Sequence, residues 1–151
     1  MLPRRFLVIQ KVLGALLGLS SLFFLPPLTL AIALGEDTVV TFAETFACAA
    51  LLGLALWWPV RRLRYDLRLR DGFFITTFAW LLAAAVGSIP FMLSEPRLAL
   101  TQAMFEAVSG LTTTGATTID GLDELPRSML LYRQSLNFYG GMGIVLLAVA
   151  I

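Results

Sequence analysis

Apolar residues fall along this chain in long runs separated by short polar breaks. Residues 12–35 hold 24 positions without a charge and residues 72–94 hold 23; about 20 such residues cross the hydrocarbon layer of a membrane as a helix. Residues 38–60 are interrupted by Glu44 alone, near their start, and residues 134–151 add 18 uncharged positions. The pattern predicts four membrane-spanning helices. Residues 95–133, between the third and the fourth, follow a different rhythm.

Ser94-Glu95-Pro96 breaks the chain, and Pro96 suits the first turn of a new helix. From Arg97 the sequence RLALTQAMFEAVSGL places apolar residues at 98, 100, 104, 105, 108 and 111, a helical spacing over too few turns to cross a bilayer. Gly110 reads as the helix stop. The following TTTGATT, residues 112–118, is β-branched and glycine-bearing and extends no helix well. If the short helix enters from outside and stops partway, residues 112–118 climb back out as extended chain. Lipid-exposed backbone of that kind leaves N–H and C=O groups unpaired, so it exists only inside protein or beside a water-filled cavity. A re-entrant helix followed by a polar strand is how ion pores present carbonyl oxygens to a cation. A Thr/Gly-rich external loop between two ordinary helices is the other reading of the same residues.

Charge adds orientation. Arg4, Arg5 and Lys11 flank the first span, and Arg61, Arg62, Arg64, Arg68 and Arg70 crowd the loop between the second and third. The positive-inside bias makes both faces cytoplasmic, the N-terminus included. Gly35-Glu36-Asp37 carries no Lys or Arg and falls outside, as do Glu95, Arg97, Asp120, Asp123, Glu124 and Arg127. Topology signalling accounts for the Arg-rich loop without a lipid-phosphate or regulatory role, and Trp57 and Trp58 end the second span where aromatic rings favour the interface.

Composition fits the same class. The chain of 151 residues is 58% hydrophobic and 14% charged, against about 25% charged in soluble domains. A net charge of +1 gives no basic excess for nucleic acid. One cysteine, Cys48 in an apolar run, and no histidine remove disulfide frameworks, zinc sites and His-dependent catalysis. Ser88 and Ser109 stand beside no base, so no catalytic residues and no enzyme are expected. The start RRFL loosely resembles a twin-arginine export signal, but the apolar run is long and no small-x-small site closes it, so a retained helix is expected.

The run FEAVSGLTTTGATTIDGLDELPRSMLLYRQSLNFYGGMGIVLLAVAI, residues 105–151, closely resembles the first pore repeat of Trk-type potassium uptake membrane subunits, within the Trk/Ktr/HKT superfamily of cation transporters. The likeness extends upstream through WWPVRRLRYDLRLRDGF and SIPFMLSE. It implies an all-α membrane protein, with two N-terminal transmembrane helices plus one helix/re-entrant pore loop/helix repeat of a potassium-channel-like fold. Residues 1–71 would hold the two extra helices and the basic cytoplasmic loop. Residues 72–151 would be the first repeat: outer helix 72–94, pore helix 97–111, filter strand 112–118 and inner helix 127–151. Three further repeats complete such a pore.

The resemblance also implies roles. Thr112, Thr113, Thr114, Gly115 and Ala116 align with the filter strand, with potassium, the transported substrate, held by backbone carbonyls of Thr113, Thr114 and Gly115. Thr112 adds an oxygen at the inner end. Glycine at the Gly115 position is associated with potassium and serine with sodium. No cofactor is implied. The expected partners are the remaining repeats, a second copy of the full protein, a cytosolic nucleotide-binding regulatory subunit and the lipid bilayer of the cell inner membrane. Beside these, Glu106 reads as a brace behind the strand, with Thr117, rather than as an ion ligand. Asp120 and Asp123, with Glu124, either concentrate cations at the outer mouth or are solvated loop charges. Gly140, Gly141 and Gly143 read as sites of close helix contact, Pro90 as a kink, and Asp71 as an N-cap. Arg133 is expected to pair with an outer acid that sequence leaves unnamed.

Overall fold

The computed structural model describes residues 4–63 and 69–150, giving the backbone alone for residues 4, 69 and 144–150. Seven α-helices run through the described residues: α1 (Arg4–Ser20), α2 (Leu25–Leu34), α3 (Thr38–Trp57), α4 (Leu69–Gly87), α5 (Ile89–Leu93), α6 (Leu100–Leu111) and α7 (Arg127–Ala150). Three stretches among them are long and apolar enough to cross a membrane: Arg5–Leu34, Thr38–Val60 and Arg70–Leu93. The fourth expected span is α7, whose 24 residues reach about 36 Å at 1.5 Å each. Arg64 and Arg68 of the basic loop, and Ile151, lie outside the described residues.

Proline shapes two of the spans. The first is continuous in direction but passes through a 3-10 turn, Ser21–Phe24, just ahead of Pro26 and Pro27. A proline ring clashes with the carbonyl four residues back and offers no N–H, so the preceding turn winds tighter. The third span breaks at Ser88, between α4 and α5, two residues before Pro90, where the sequence anticipated a kink.

Small residues let the first two spans touch. A methyl group on Gly53 of α3 would lie 2.4 Å from the Gly18 backbone nitrogen of α1, and one on Gly14 would lie 2.7 Å from the Trp57 nitrogen. Only hydrogen side chains permit that approach. At the basic end, Arg5 of α1 pairs with the fully buried Asp71 carboxylate. Asp71 thus sits inside the first turn of α4 rather than ahead of it as a cap; the helix already runs from Leu69, three residues before the Gly72 start that role requires.

Tyr132 of α7 joins the layers. Its ring lies 5.6 Å from Phe24, 5.5 Å from Phe42 and 5.4 Å from Phe91. Its hydroxyl donates to the Gly87 carbonyl at 2.6 Å. One side chain therefore meets the turn after α1, then α3 and α5, and the end of α4. Aromatic pairs in such tilted and offset arrangements add about 0.5–1.5 kcal/mol each beyond burial.

Candidate functional site

The short helix of the atypical segment is α6. Its 12 residues amount to about 18 Å, well under a bilayer core of about 30 Å. It begins at Leu100 and not at Arg97 or Pro96. Arg97 has φ 46, a left-handed value that interrupts a helix, and the Leu98 N–H is tied back to the Phe91 carbonyl at 2.9 Å.

At its other end α6 reaches Leu111, the end of the expected 97–111 helix and one residue past the Gly110 stop signal. The helix runs through Gly110 and closes in a Schellman motif: Thr113 N–H bonds Gly110 O at 2.9 Å and Thr114 N–H bonds Ser109 O at 2.9 Å. The left-handed residue of that motif is usually glycine, and here it is Thr113, φ 58. A β-branched residue in that region is an outlier costing on the order of 1–3 kcal/mol, and such strain gathers at functional sites. Gly110 serves packing instead, since a methyl there would lie 2.8 Å from Leu136 Cβ.

After the turn the chain doubles back along α6. Ser109 Oγ donates to the Ala116 carbonyl at 2.7 Å. Three residues earlier on the helix, Glu106 Oε1 accepts the Thr118 N–H at 2.6 Å and the Thr117 hydroxyl at 2.8 Å. Contacts that recede along the helix as the strand advances define a re-entrant loop. Between them φ alternates in sign: −85° at Thr112, 58° at Thr113, and 73° at Gly115 after a non-positive Thr114. Among the described residues, no hydrogen bond reaches the carbonyls of Thr113, Thr114 or Gly115. The strand from Thr112 to Thr118 is exposed throughout.

The predicted residues divide into distinct settings. Thr112 turns its hydroxyl back on the helix, donating to Val108 O at 2.8 Å and lying 2.9 Å from Thr114 Oγ1. Ala116 differs from its neighbours in having its carbonyl engaged. Glu106 is buried to 3% exposure, and its Oε2 receives Arg133 of α7 at 3.1 and 3.2 Å. Arg133 therefore pairs inward with Glu106 rather than with an outer acid. Asp120, Asp123 and Glu124 are exposed around a left-handed Gly121, φ 72.

α7 lies directly behind the loop. A methyl on Gly140 would sit 2.0 Å from the Leu111 carbonyl oxygen, and one on Gly141 would sit 3.5 Å from Thr113 Cγ2. Gly143 faces Trp80 of α4 at an ordinary 3.5 Å. Ser109, by sequence a hydroxyl beside no base, holds the strand through its bond to Ala116. Glu36, beyond the α2 end, receives backbone N–H groups of Arg127 and Ser128 at 2.9 and 3.1 Å. Burial alone would raise its pKa, but the donors from Ser128, Arg127 and Thr38 outweigh that and hold it below the ordinary carboxylate value. Nothing in local sequence links Glu36 to α7 except that Pro126, ahead of the helix, has no side-chain acceptor.

A family model described as TrkH, cation transport protein, matches residues 39–151. The "Trk system potassium uptake protein TrkH" of Salmonella typhimurium is 46% identical over 147 residues, which is 97% of this chain and 30% of that protein. "Trk system potassium uptake protein TrkG" of Escherichia coli is 41% identical over 145 residues, 95% of this chain and 30% of that protein. The crystal structure of the potassium transporter TrkH from Vibrio parahaemolyticus superposes with a TM-score of 0.90 at 43% identity, covering 99% of this chain and 32% of that one. The chain thus spans about 30% of the length of the curated relatives it matches. With the helix, re-entrant loop and helix already traced and a matching family model over three quarters of its residues, the chain belongs to the TrkH family of cation transport proteins.

Proposed function

We propose that residues 112–116 contribute one strand of a potassium filter in a Trk-type uptake system of the cell inner membrane. The observation that supports this most is the reversal after α6, with φ alternating in sign and the carbonyls of Thr113, Thr114 and Gly115 free of hydrogen bonds among the described residues. Alternating right- and left-handed backbone turns successive carbonyls toward one side of a strand. Oxygens so arranged replace the water shell of a cation without adding formal charge. The C-terminal end of α6 adds its negative dipole.

In this reading Glu106 braces the strand from behind, taking Thr117 and Thr118 on one oxygen and Arg133 on the other. Its charge is neutralised within the protein, which leaves the ion to the carbonyls. Asp120 and Asp123 raise the local cation concentration at the outer mouth. The N-terminus and the basic loop face the cytoplasm, where Arg61 stacks 3.6 Å over the Trp58 ring at the interface. One strand reaches an ion from one side only. Three further repeats, a second copy and a cytosolic nucleotide-binding regulatory subunit complete the assembly.

Potassium-uptake rescue of a deficient cell by the full gene containing this segment tests the assignment. Gly115 has φ 73, so any other residue there strains the backbone by about 1–3 kcal/mol, although a side chain would meet nothing within 4 Å. Gly115→Ser is expected to lower uptake of potassium relative to sodium, and Gly115→Asp to abolish rescue. Unchanged uptake and selectivity in both variants would sink the filter assignment.

A further inference from the structure

Among the contacts between the two leading spans and α7, one carboxylate, Glu36, reaches the start of the helix. α2 ends on Gly35, φ 66, with the Glu36 N–H bonded back to Ala31 O at 3.0 Å, so Glu36 leaves the helix in a fixed direction. Its Oε1 accepts the Arg127 N–H, and its Oε2 accepts both the N–H and the hydroxyl of Ser128. The Ser128 oxygen lies 2.7 Å from the buried Thr38 hydroxyl, at the start of α3. The first N–H groups of a helix have no acceptor within it. Pro126 supplies its carbonyl to Met129 and Leu130 but no capping side chain. A residue 91 positions earlier in the chain therefore caps α7, with a negative charge at the positive end of the helix dipole.

From that cap one ridge of α7 descends at four-residue spacing through Ser128, Tyr132, Leu136 and Gly140, all buried. It ends where Gly140 touches the Leu111 carbonyl, one residue before the re-entrant strand. Arg133, beside Tyr132, holds Glu106. The height and rotation of α7 thus decide where the support of the strand stands.

We propose that Glu36 is a positioning residue for ion discrimination: by capping α7 from the α2–α3 loop it fixes the register of Arg133 and Gly140 against the strand. The extra helix pair then acts on the filter from outside the repeat. The proposal rests on the reading of residues 112–116 as filter strand.

The test uses the full gene containing this segment in potassium-uptake-deficient cells, measuring rubidium and sodium uptake per membrane-inserted protein. Glu36→Ala is expected to lower the rubidium-to-sodium ratio several-fold, Glu36→Gln to lower it less because one acceptor oxygen remains, and Asp37→Ala, at the exposed neighbour, to leave it unchanged. A cap that matters only for stability would reduce both ions together. An unchanged ratio in Glu36→Ala, with or without lower uptake, overturns the proposal. If that variant does not accumulate, Ser128→Ala decides by the same ratio, since it removes the hydroxyl bond while both backbone bonds remain. Gly115→Ser is run in parallel: a shift there with none at Glu36 sinks the positioning role alone, and no shift at either sinks the filter reading with it.

Discussion

Glu106 and Arg133 carry opposite charges in a place where water is scarce, 1% and 14% exposed at their side chains. Such a pair contributes little net stability compared with apolar packing, yet losing one member leaves the other uncompensated at a cost of about 3–5 kcal/mol. In the full gene containing this segment, Arg133→Gln is therefore expected to lower the heat resistance of the solubilised product, and the proposed potassium uptake, more than the double variant Glu106→Gln, Arg133→Gln. The double variant keeps an acceptor for the Thr118 N–H without a stranded charge. Additive losses in the two single variants and the double would show that the pair does not act as a unit. At this scale the sequence was half legible. A carboxylate on a short, partly buried helix asked for a role, and its relation to strand N–H groups followed from polarity. Its partner across 27 positions depended on which face of α7 turns inward, which the polar residues scattered around that helix, Gln134, Ser135 and Asn137 among them, do not mark.

Helix contacts explain the glycines better than helix propensity does. Gly140 stands where α6 and α7 meet backbone to side, and a methyl 2.0 Å from the Leu111 carbonyl has no flexible neighbour to displace. Overpacking of that kind costs typically about 1–3 kcal/mol. Here it also pushes on the residue before Thr112. Gly140→Ala is expected to reduce potassium uptake per inserted protein several-fold, whereas Gly143→Ala, facing Trp80 at 3.5 Å, is expected to leave uptake near the parent level. Equal behaviour of the two would contradict close α6–α7 contact as the reason for the glycine. The element boundaries were legible where hydrophobic runs end in charge or proline, as at Thr38. They are not legible where backbone conformation overrides residue type. Arg97 and Thr113 both take left-handed angles that their side chains disfavour, so α6 starts later than Arg97 and turns back at Thr113 instead of at Gly110.

Across the whole molecule, the apolar runs dictated a bundle of membrane helices, while the polar interval by itself fitted either a re-entrant loop or an external one. What they left unstated is how the parts are joined. Glu36 to Ser128 and Tyr132 to Gly87 are long-range bonds between residues whose local sequence gives no hint of each other. Both fasten α7 to the helices outside the α6 turn, and α7 in turn backs the strand. The fold can therefore be described as a frame holding a strained, hydrogen-bond-poor strand in place. The most direct measurement of that claim is ion density in the full transporter containing this segment, crystallised or frozen in rubidium and imaged at its anomalous or difference signal. The account predicts density within direct coordination distance of the Thr113, Thr114 and Gly115 carbonyls. Ordered rubidium elsewhere in the pore, with none at these three oxygens, would contradict it.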